Sequence, residues 1–199
     1  MKEKFINSSL KSIKNKYPEF SDIKLEEIKY GLESLYLTIT KFVVLISLAL
    51  LFNIVKEFLL FILLYNFVRL YGFGLHASKT SICLITSILL FIGIPIICKY
   101  FIINKYVIGI FGSLLIINFY KYSPADTRKR PIVSPKIRLK YKFLSSIIVI
   151  IFLLTALLIN NYYLSNLIFM AVLIEAFLIN PYVYRMFGFT YDNYKNYHV

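Results

Sequence analysis

Long apolar runs separated by short polar breaks dominate the chain, near residues 35–55, 58–70, 81–98, 102–119, 143–160 and 162–180. Runs of 17 or more apolar residues with few charges match the length of a helix crossing about 30 Å of hydrocarbon. The pattern therefore predicts an all-α, polytopic membrane protein of about six transmembrane or re-entrant helices. The first two runs are interrupted only by Lys56 and Glu57, with no Gly or Pro to mark a turn. The second run is short and suits a tilted or partly re-entrant helix.

Residues 1–34 read differently. Seven lysines alternate with acidic residues, and Leu10, Ile13, Tyr17, Phe20, Ile23 and Leu25 are scattered among them. This is the pattern of amphipathic helices lying on a membrane surface. The expected organisation is an interfacial segment over 1–34 and a helical membrane domain over 35–199. Within that domain, residues 121–142 form a polar loop in which Pro124, Pro131 and Pro135 exclude a continuous helix.

Composition strengthens the membrane reading, since 59% of the 199 residues are hydrophobic and only 17% are charged. A soluble domain is typically about 45–50% apolar and has nowhere to place the excess. The net charge of +13 points to topology and anionic lipid before nucleic acid, because the basic residues flank the apolar runs. Lys121, Arg128, Lys129, Arg130, Lys136, Arg138, Lys140 and Lys142 crowd the central loop, with Asp126 as its only acid. If 42–68 were one span, this loop would face outward against the positive-inside rule. Counting two spans there places both termini and the basic loop in the cytoplasm and leaves Lys56, Lys99 and Lys105 outside. No cleavable signal is expected, since the chain opens on a Lys-rich polar stretch. Cys83 and Cys98 lie on one predicted span, about 22 Å apart along a helix, which is beyond disulfide reach.

Candidate chemistry concentrates between the second and third spans, where Arg69, Gly72, Gly74, His76, Ala77 and Cys83 follow one another. A thiol attacks as thiolate, which calls for a neighbouring base, a cation or a helix N-terminus. On a continuous helix His76 and Cys83 would be about 10 Å apart in rise, too far for direct contact. A break is therefore expected, with Ser78 or Thr80 capping the third span, Cys83 near its first turn and the two glycines letting His76 fold back. Each residue also has a plainer reading. A span cysteine is usually a small apolar side chain, and a boundary histidine often only meets headgroups. Cys98, beside Lys99 alone, keeps the plain reading. Glu175, a carboxylate inside the last apolar run, marks either a functional partner or an interhelical hydrogen bond.

Arg69, Gly72, Gly74, His76, Ala77 and Cys83, followed by the stretch from Ser123 through Pro124, Ala125 and Asp126 to Arg130, Pro131 and Ile132, resemble the accessory gene regulator B family. The resemblance extends from roughly Ile28 to Pro181. It implies a membrane cysteine endopeptidase of bacterial quorum sensing, which trims the C-terminal tail of a small precursor peptide and helps close it into a cyclic thiolactone or lactone. By position Cys83 resembles the nucleophile and His76 its base, with Arg69, Gly72, Gly74, Asp126, Lys129 and Arg130 as supporting or substrate-binding residues. Asp126 would either orient His76 or close a turn after Pro124. The resemblance also implies an amphipathic precursor with an acidic tail and a homodimer as partners; the basic charge pattern points to an anionic bilayer, and without a His-Glu-x-x-His motif neither a metal nor a cofactor is expected. Two other classes compete: a small transporter using Lys41, Arg69 and Glu175 as intramembrane charges, and a noncatalytic scaffold.

Overall fold

The computed structural model describes residues 2–77, 79–128 and 130–197. Among these residues there is no β-strand, and nine α-helices account for most of the chain. They fall into two compact units, residues 1–51 and 52–199.

The first unit is a helical hairpin. α1 (Lys2–Lys16) ends just before Pro18, and α2 (Asp22–Leu51) starts after Ser21, whose hydroxyl accepts from the Lys24 amide at 3.3 Å. Contacts join the two arms near both ends of α1: Lys2 to Glu33 at 3.7 Å and Phe5 against Tyr36 with ring centroids 6.0 Å apart at its start, and Lys14 to Asp22 at 3.3 Å at its finish. α2 is one unbroken helix, so its charged first half and apolar second half share an axis of about 45 Å. The span expected to open near residue 35 is the later part of this helix.

The second unit begins with the turn that separates the first two apolar runs. Asn53 adopts φ 52° there, a left-handed conformation that asparagine tolerates better than most side chains. α3 (Val55–Gly72) follows. The third run is one helical path from Thr80 to Tyr100, comprising α4 (Thr80–Ile88), a π-helical turn (Leu89–Gly93) and α5 (Ile94–Tyr100). The wide turn sits immediately before Pro95, which lacks an N–H and whose ring crowds the carbonyl four residues back. α6 (Lys105–Tyr122), α7 (Pro135–Leu158), α8 (Tyr162–Leu178) and the short α9 (Pro181–Met186) complete the unit.

α8 occupies the centre, touching α3, α5, α6, α7 and α9. It is apolar nearly all round, which suits a helix enclosed by others. Leu167, Ile168, Ala171, Val172, Glu175 and Ala176 are all buried along it. Close approach elsewhere depends on small residues. A Cβ on Gly112 of α6 would lie 3.3 Å from Leu153 of α7, and Ser145 and Ala156 of α7 are fully buried. Small interfacial residues are what helix packing in lipid uses, because apolar burial between helices yields no hydrophobic gain there. The outer faces are the reverse of a soluble protein's: Leu59, Leu63, Phe67 and Leu70 form an exposed stripe on α3, as do Ile147, Ile151, Leu154 and Leu158 on α7.

Three described helices are long and apolar enough to cross a membrane, Asp22–Leu51, Thr80–Tyr100 and Pro135–Leu158. α3 and α6 have 18 residues and α8 has 17, about 26–27 Å each at 1.5 Å rise per residue. The expected tally of about six spans therefore exceeds what length and composition alone define.

The antiparallel course of α3 to α8 gives the second unit two ends. At one end Asn104 and Asn161 cap α6 and α8, accepting from the Tyr106 and Leu164 amides. Lys105 Nζ donates to the carbonyls of Ala156 and Ile159 and to the Ser165 hydroxyl, and Asn166 holds Phe101 O and Ile103 N. At the other end lie the segment 73–79, the loop 123–134 and the residues after α8.

Candidate active site

α3 terminates at Gly72 with Arg69 in its last turn. Phe73 then adopts φ 66°, ψ −99° and Gly74 φ 83°. A phenylalanine in that region costs about 1–3 kcal/mol, so the surroundings must enforce it. They do so from two sides. The Gly74 amide donates to Ala125 O and the Ala125 amide to Gly72 O, both at 2.9 Å, while the Leu75 amide donates to Leu178 O at 3.1 Å. The two motifs recognised in the sequence, forty-odd residues apart, are thus stitched together by main-chain hydrogen bonds.

Beneath this stitch lies an ion pair. Arg69 Nη1 donates to Glu175 Oε2 at 2.8 Å and to the Tyr65 hydroxyl at 2.7 Å. Its Nη2 donates to Leu75 O at 2.6 Å and approaches His76 Nε2 to 3.5 Å. Glu175 has no solvent exposure, and its second oxygen, Oε1, is buried without a hydrogen-bond partner. A Cβ on Gly72 would lie 3.2 Å from that oxygen, and one on Gly74 3.1 Å from it and 3.2 Å from Leu178 O. Of the two readings open for Glu175, the structure shows the interhelical hydrogen bond. Gly72 is helical, so its requirement comes from the closeness of Glu175 and not from chain reversal.

His76 and Ala77 are exposed and lie outside any helix, ahead of α4. The break expected between His76 and Cys83 is present. Lys79, not Ser78 or Thr80, stands at the N-cap position and supplies no side-chain cap; Thr80 is the first helical residue, and Ser78 lies outside the described residues. Cys83 is half-buried in the first turn of α4, its amide donating to Lys79 O at 3.0 Å. Thr86 Oγ1 donates to the carbonyls of Ile82 and Cys83. Cys98 is buried far along the same helical path against Phe61, Tyr65, Leu167 and Ala171.

The second motif is held from the C-terminal side. Asp126 is 1% exposed. Its carboxylate accepts from the amides of Asn193 and Tyr194 at 3.0 Å and of Ile132 at 3.3 Å, with Arg138 Nη1 at 3.5 Å. Its donors are thus the loop's own backbone, α7 and the tail after α9, the arrangement of a group closing a turn. Tyr184 donates its hydroxyl to the carbonyls of Ala125 and Asp126, and Tyr191 to Tyr122 O. Burial, the largest influence, raises the Tyr184 and Tyr191 phenols well above the usual tyrosine range, so both stay protonated donors at physiological pH. Arg128 and Arg130 are exposed, and Lys129 lies outside the described residues. Beside the motif opens a cleft of about 570 Å³ whose walls include Lys121, Arg138 and Lys142 together with Tyr122, Tyr191 and Tyr194. Arg138 stacks 3.5 Å over the Tyr194 ring.

The supporting set of Tyr65, Arg138, Tyr184, Tyr191, Asn193 and Tyr194 carries no motif of its own in the sequence. Of these, Arg138 alone stood out in the sequence, as one of the basic residues crowding the central loop. Among the described residues, no three His, Cys, Asp or Glu side chains gather where they could hold a metal ion.

These features define an all-helical membrane protein whose one end pairs a Gly-x-Gly-x-His segment with a proline- and arginine-rich loop. The profile of the family described as AgrB, accessory gene regulator B, matches residues 4–179, and the chain belongs to that family. It is 29% identical over 182 residues to an AgrB-like protein of Clostridium acetobutylicum, covering 90% of this chain and 86% of that one. An AgrB-like protein of Listeria monocytogenes is 32% identical over 172 residues, 86% of this chain and 84% of the other. The accessory gene regulator protein B of Staphylococcus aureus is 30% identical over 162 residues, 81% and 86% of the two chains. No solved structure matches the chain. Family membership implies involvement in processing quorum-sensing peptides.

Proposed function

We propose that this protein is a membrane cysteine endopeptidase that removes the C-terminal tail of a small precursor peptide and promotes its cyclisation. The observation that carries the reading is the main-chain stitch between Gly72–Gly74 and Ala125, which joins the His76 segment to the second motif next to the helix bearing Cys83.

In this mechanism His76 takes the Cys83 proton, and the thiolate attacks the carbonyl carbon preceding the tail. The C–S bond forms, the C–N bond breaks, and His76 returns the proton to the departing amine, leaving an acyl-enzyme thioester. An internal cysteine thiol of the peptide then attacks the thioester carbonyl, its proton passing through His76 to the Cys83 sulfur. One thioester replaces another, so ring closure is close to thermoneutral. A serine hydroxyl in the same place would give a lactone. Exclusion of water at the membrane boundary favours closure over hydrolysis.

Charge supports the same orientation. Arg69, Lys79, Lys121, Arg128, Arg130, Lys136, Arg138, Lys140, Lys142 and Arg185 belong to the end that carries the motifs, against Lys56, Lys99 and Lys105 at the other. The positive-inside rule places the motif end in the cytoplasm, with the chain multi-pass in the bacterial cell membrane and both termini cytoplasmic. The cleft at Lys121, Arg138 and Lys142 suits an acidic precursor tail, with Arg130 contributing from the exposed loop. A homodimer is the assembly we expect in the bilayer.

The test is co-expression with the small peptide encoded beside the gene, following precursor mass. A C-terminal fragment should be released with intact Cys83 and lost with Cys83→Ala or His76→Ala, while Cys98→Ala processes normally. Equal processing by Cys83→Ala would remove the nucleophile from the scheme.

A further inference from the structure

We propose that Glu175 is a positioning residue for the segment carrying His76, acting through the Arg69 guanidinium. The catalytic half of this inference rests on the peptidase reading; the geometric half does not.

Glu175 sits on the central helix and reaches the segment in two ways. Its Oε2 takes Arg69 Nη1 at 2.8 Å, which turns the planar guanidinium so that Nη2 meets Leu75 O at 2.6 Å and lies 3.5 Å from His76 Nε2. A guanidinium is a rigid fork, so fixing one nitrogen fixes where the other points. The Oε1 side of the carboxylate packs against the backbone itself, closely enough that a Cβ at Gly72 or Gly74 would meet it at 3.2 or 3.1 Å. The glycines of the motif and the glutamate of α8 are therefore one structural unit. One further turn of α8 accepts the Leu75 amide at Leu178 O.

Stability does not account for this arrangement. A buried ion pair is commonly no more stabilising than well-packed apolar side chains of the same size, and Glu175 also leaves Oε1 without a donor. What the pair supplies that leucine and methionine cannot is direction: a donor fork aimed at the carbonyls of Gly74 and Leu75 and at the His76 ring.

The test compares Glu175→Leu with the parent in detergent and in proteoliposomes. Thermal unfolding reports the fold. Amide exchange over peptides spanning 72–77 reports the segment, and steady-state processing of the neighbouring precursor peptide reports the reaction. We expect an earlier unfolding transition, because the substitution leaves the buried Arg69 charge without its carboxylate, exchange over 72–77 at least about tenfold faster and raised beyond that of the rest of the bundle, and kcat lowered about 100-fold by misplaced chemistry, with KM within about threefold. Unchanged exchange overturns the inference whatever the turnover, and so does faster exchange with an unchanged kcat. If Glu175→Leu does not fold, the isosteric Glu175→Gln is judged by the same criteria; failure of both makes Glu175 a residue of the fold and overturns the proposal. Should Cys83→Ala process like the parent, it is the peptidase reading that falls, and exchange alone then decides whether Glu175 holds the segment.

Discussion

Gly74 is the residue on which the most constraints converge. Its φ of 83° suits a residue without a side chain, and an added methyl would meet both Glu175 Oε1 and the Leu178 carbonyl. Gly74→Ala should destabilise by about 1–3 kcal/mol, from backbone strain plus the forced shift of the carboxylate. Gly109 in α6 has open space around its Cα. Gly109→Ala should be neutral or stabilising by up to about 1 kcal/mol. Thermal unfolding of the two variants in one detergent checks the contrast, and a Gly74→Ala protein as stable as the parent would mean that the crowding is not real. The motif glycines, His76 and Cys83 were legible in the sequence because their chemistry is local. The Arg69–Glu175 pair was legible only in half: a carboxylate inside an apolar run announces that it needs a partner, but 106 residues of separation leave no periodic trace of which one.

At the scale of elements, the apolar runs translated into helices because lipid-facing surface and helix length impose themselves on every residue of a run. The junctions did not translate, since each depends on one or two side chains. Asn53 is the clearest case. No Gly or Pro marks the turn between α2 and α3, yet an asparagine at φ 52° makes it. Asn53→Gly should be nearly neutral, whereas Asn53→Val should cost about 1–2 kcal/mol, the penalty for a β-branched side chain in the left-handed region. Unfolding midpoints of the pair decide the matter, and equal midpoints would show that the turn is not left-handed in the bilayer. The asparagines at 104, 161 and 180 follow the same logic, each capping the helix after it. In a composition rich in asparagine such caps do not stand out, because the same residue type also fills loops and faces.

For the whole molecule, the two ends of the second unit differ in charge and in the way they are held, and the sidedness proposed above follows from that difference. With Cys83 and Cys98 replaced by alanine, single cysteines at Ile102 and Arg130, both exposed, should react oppositely with a membrane-impermeant maleimide. Ile102→Cys should label in intact cells and Arg130→Cys only after the membrane is opened. Labelling of both from outside would refute a cytoplasmic site. The cleft adds a second expectation. Lys142→Glu should raise KM for an acidic-tailed precursor with little change in kcat, and added salt should weaken parent binding in the same direction, since exposed charges are screened beyond about 8–10 Å at physiological ionic strength.

The burial of Asp126 sets an order of events during synthesis. Two of the amides that satisfy its carboxylate belong to Asn193 and Tyr194, 67 and 68 residues further on. A ribosome adding about 5–20 residues per second reaches them some 3 to 14 s after it has made the loop. Until then the loop stitched to the His76 segment holds a carboxylate short of donors, and the motif end cannot settle into its final shape. A nascent chain would thus pass much of its insertion into the membrane with this end unfinished, and the helical turn Asn193–Asn196 would be the one that closes it.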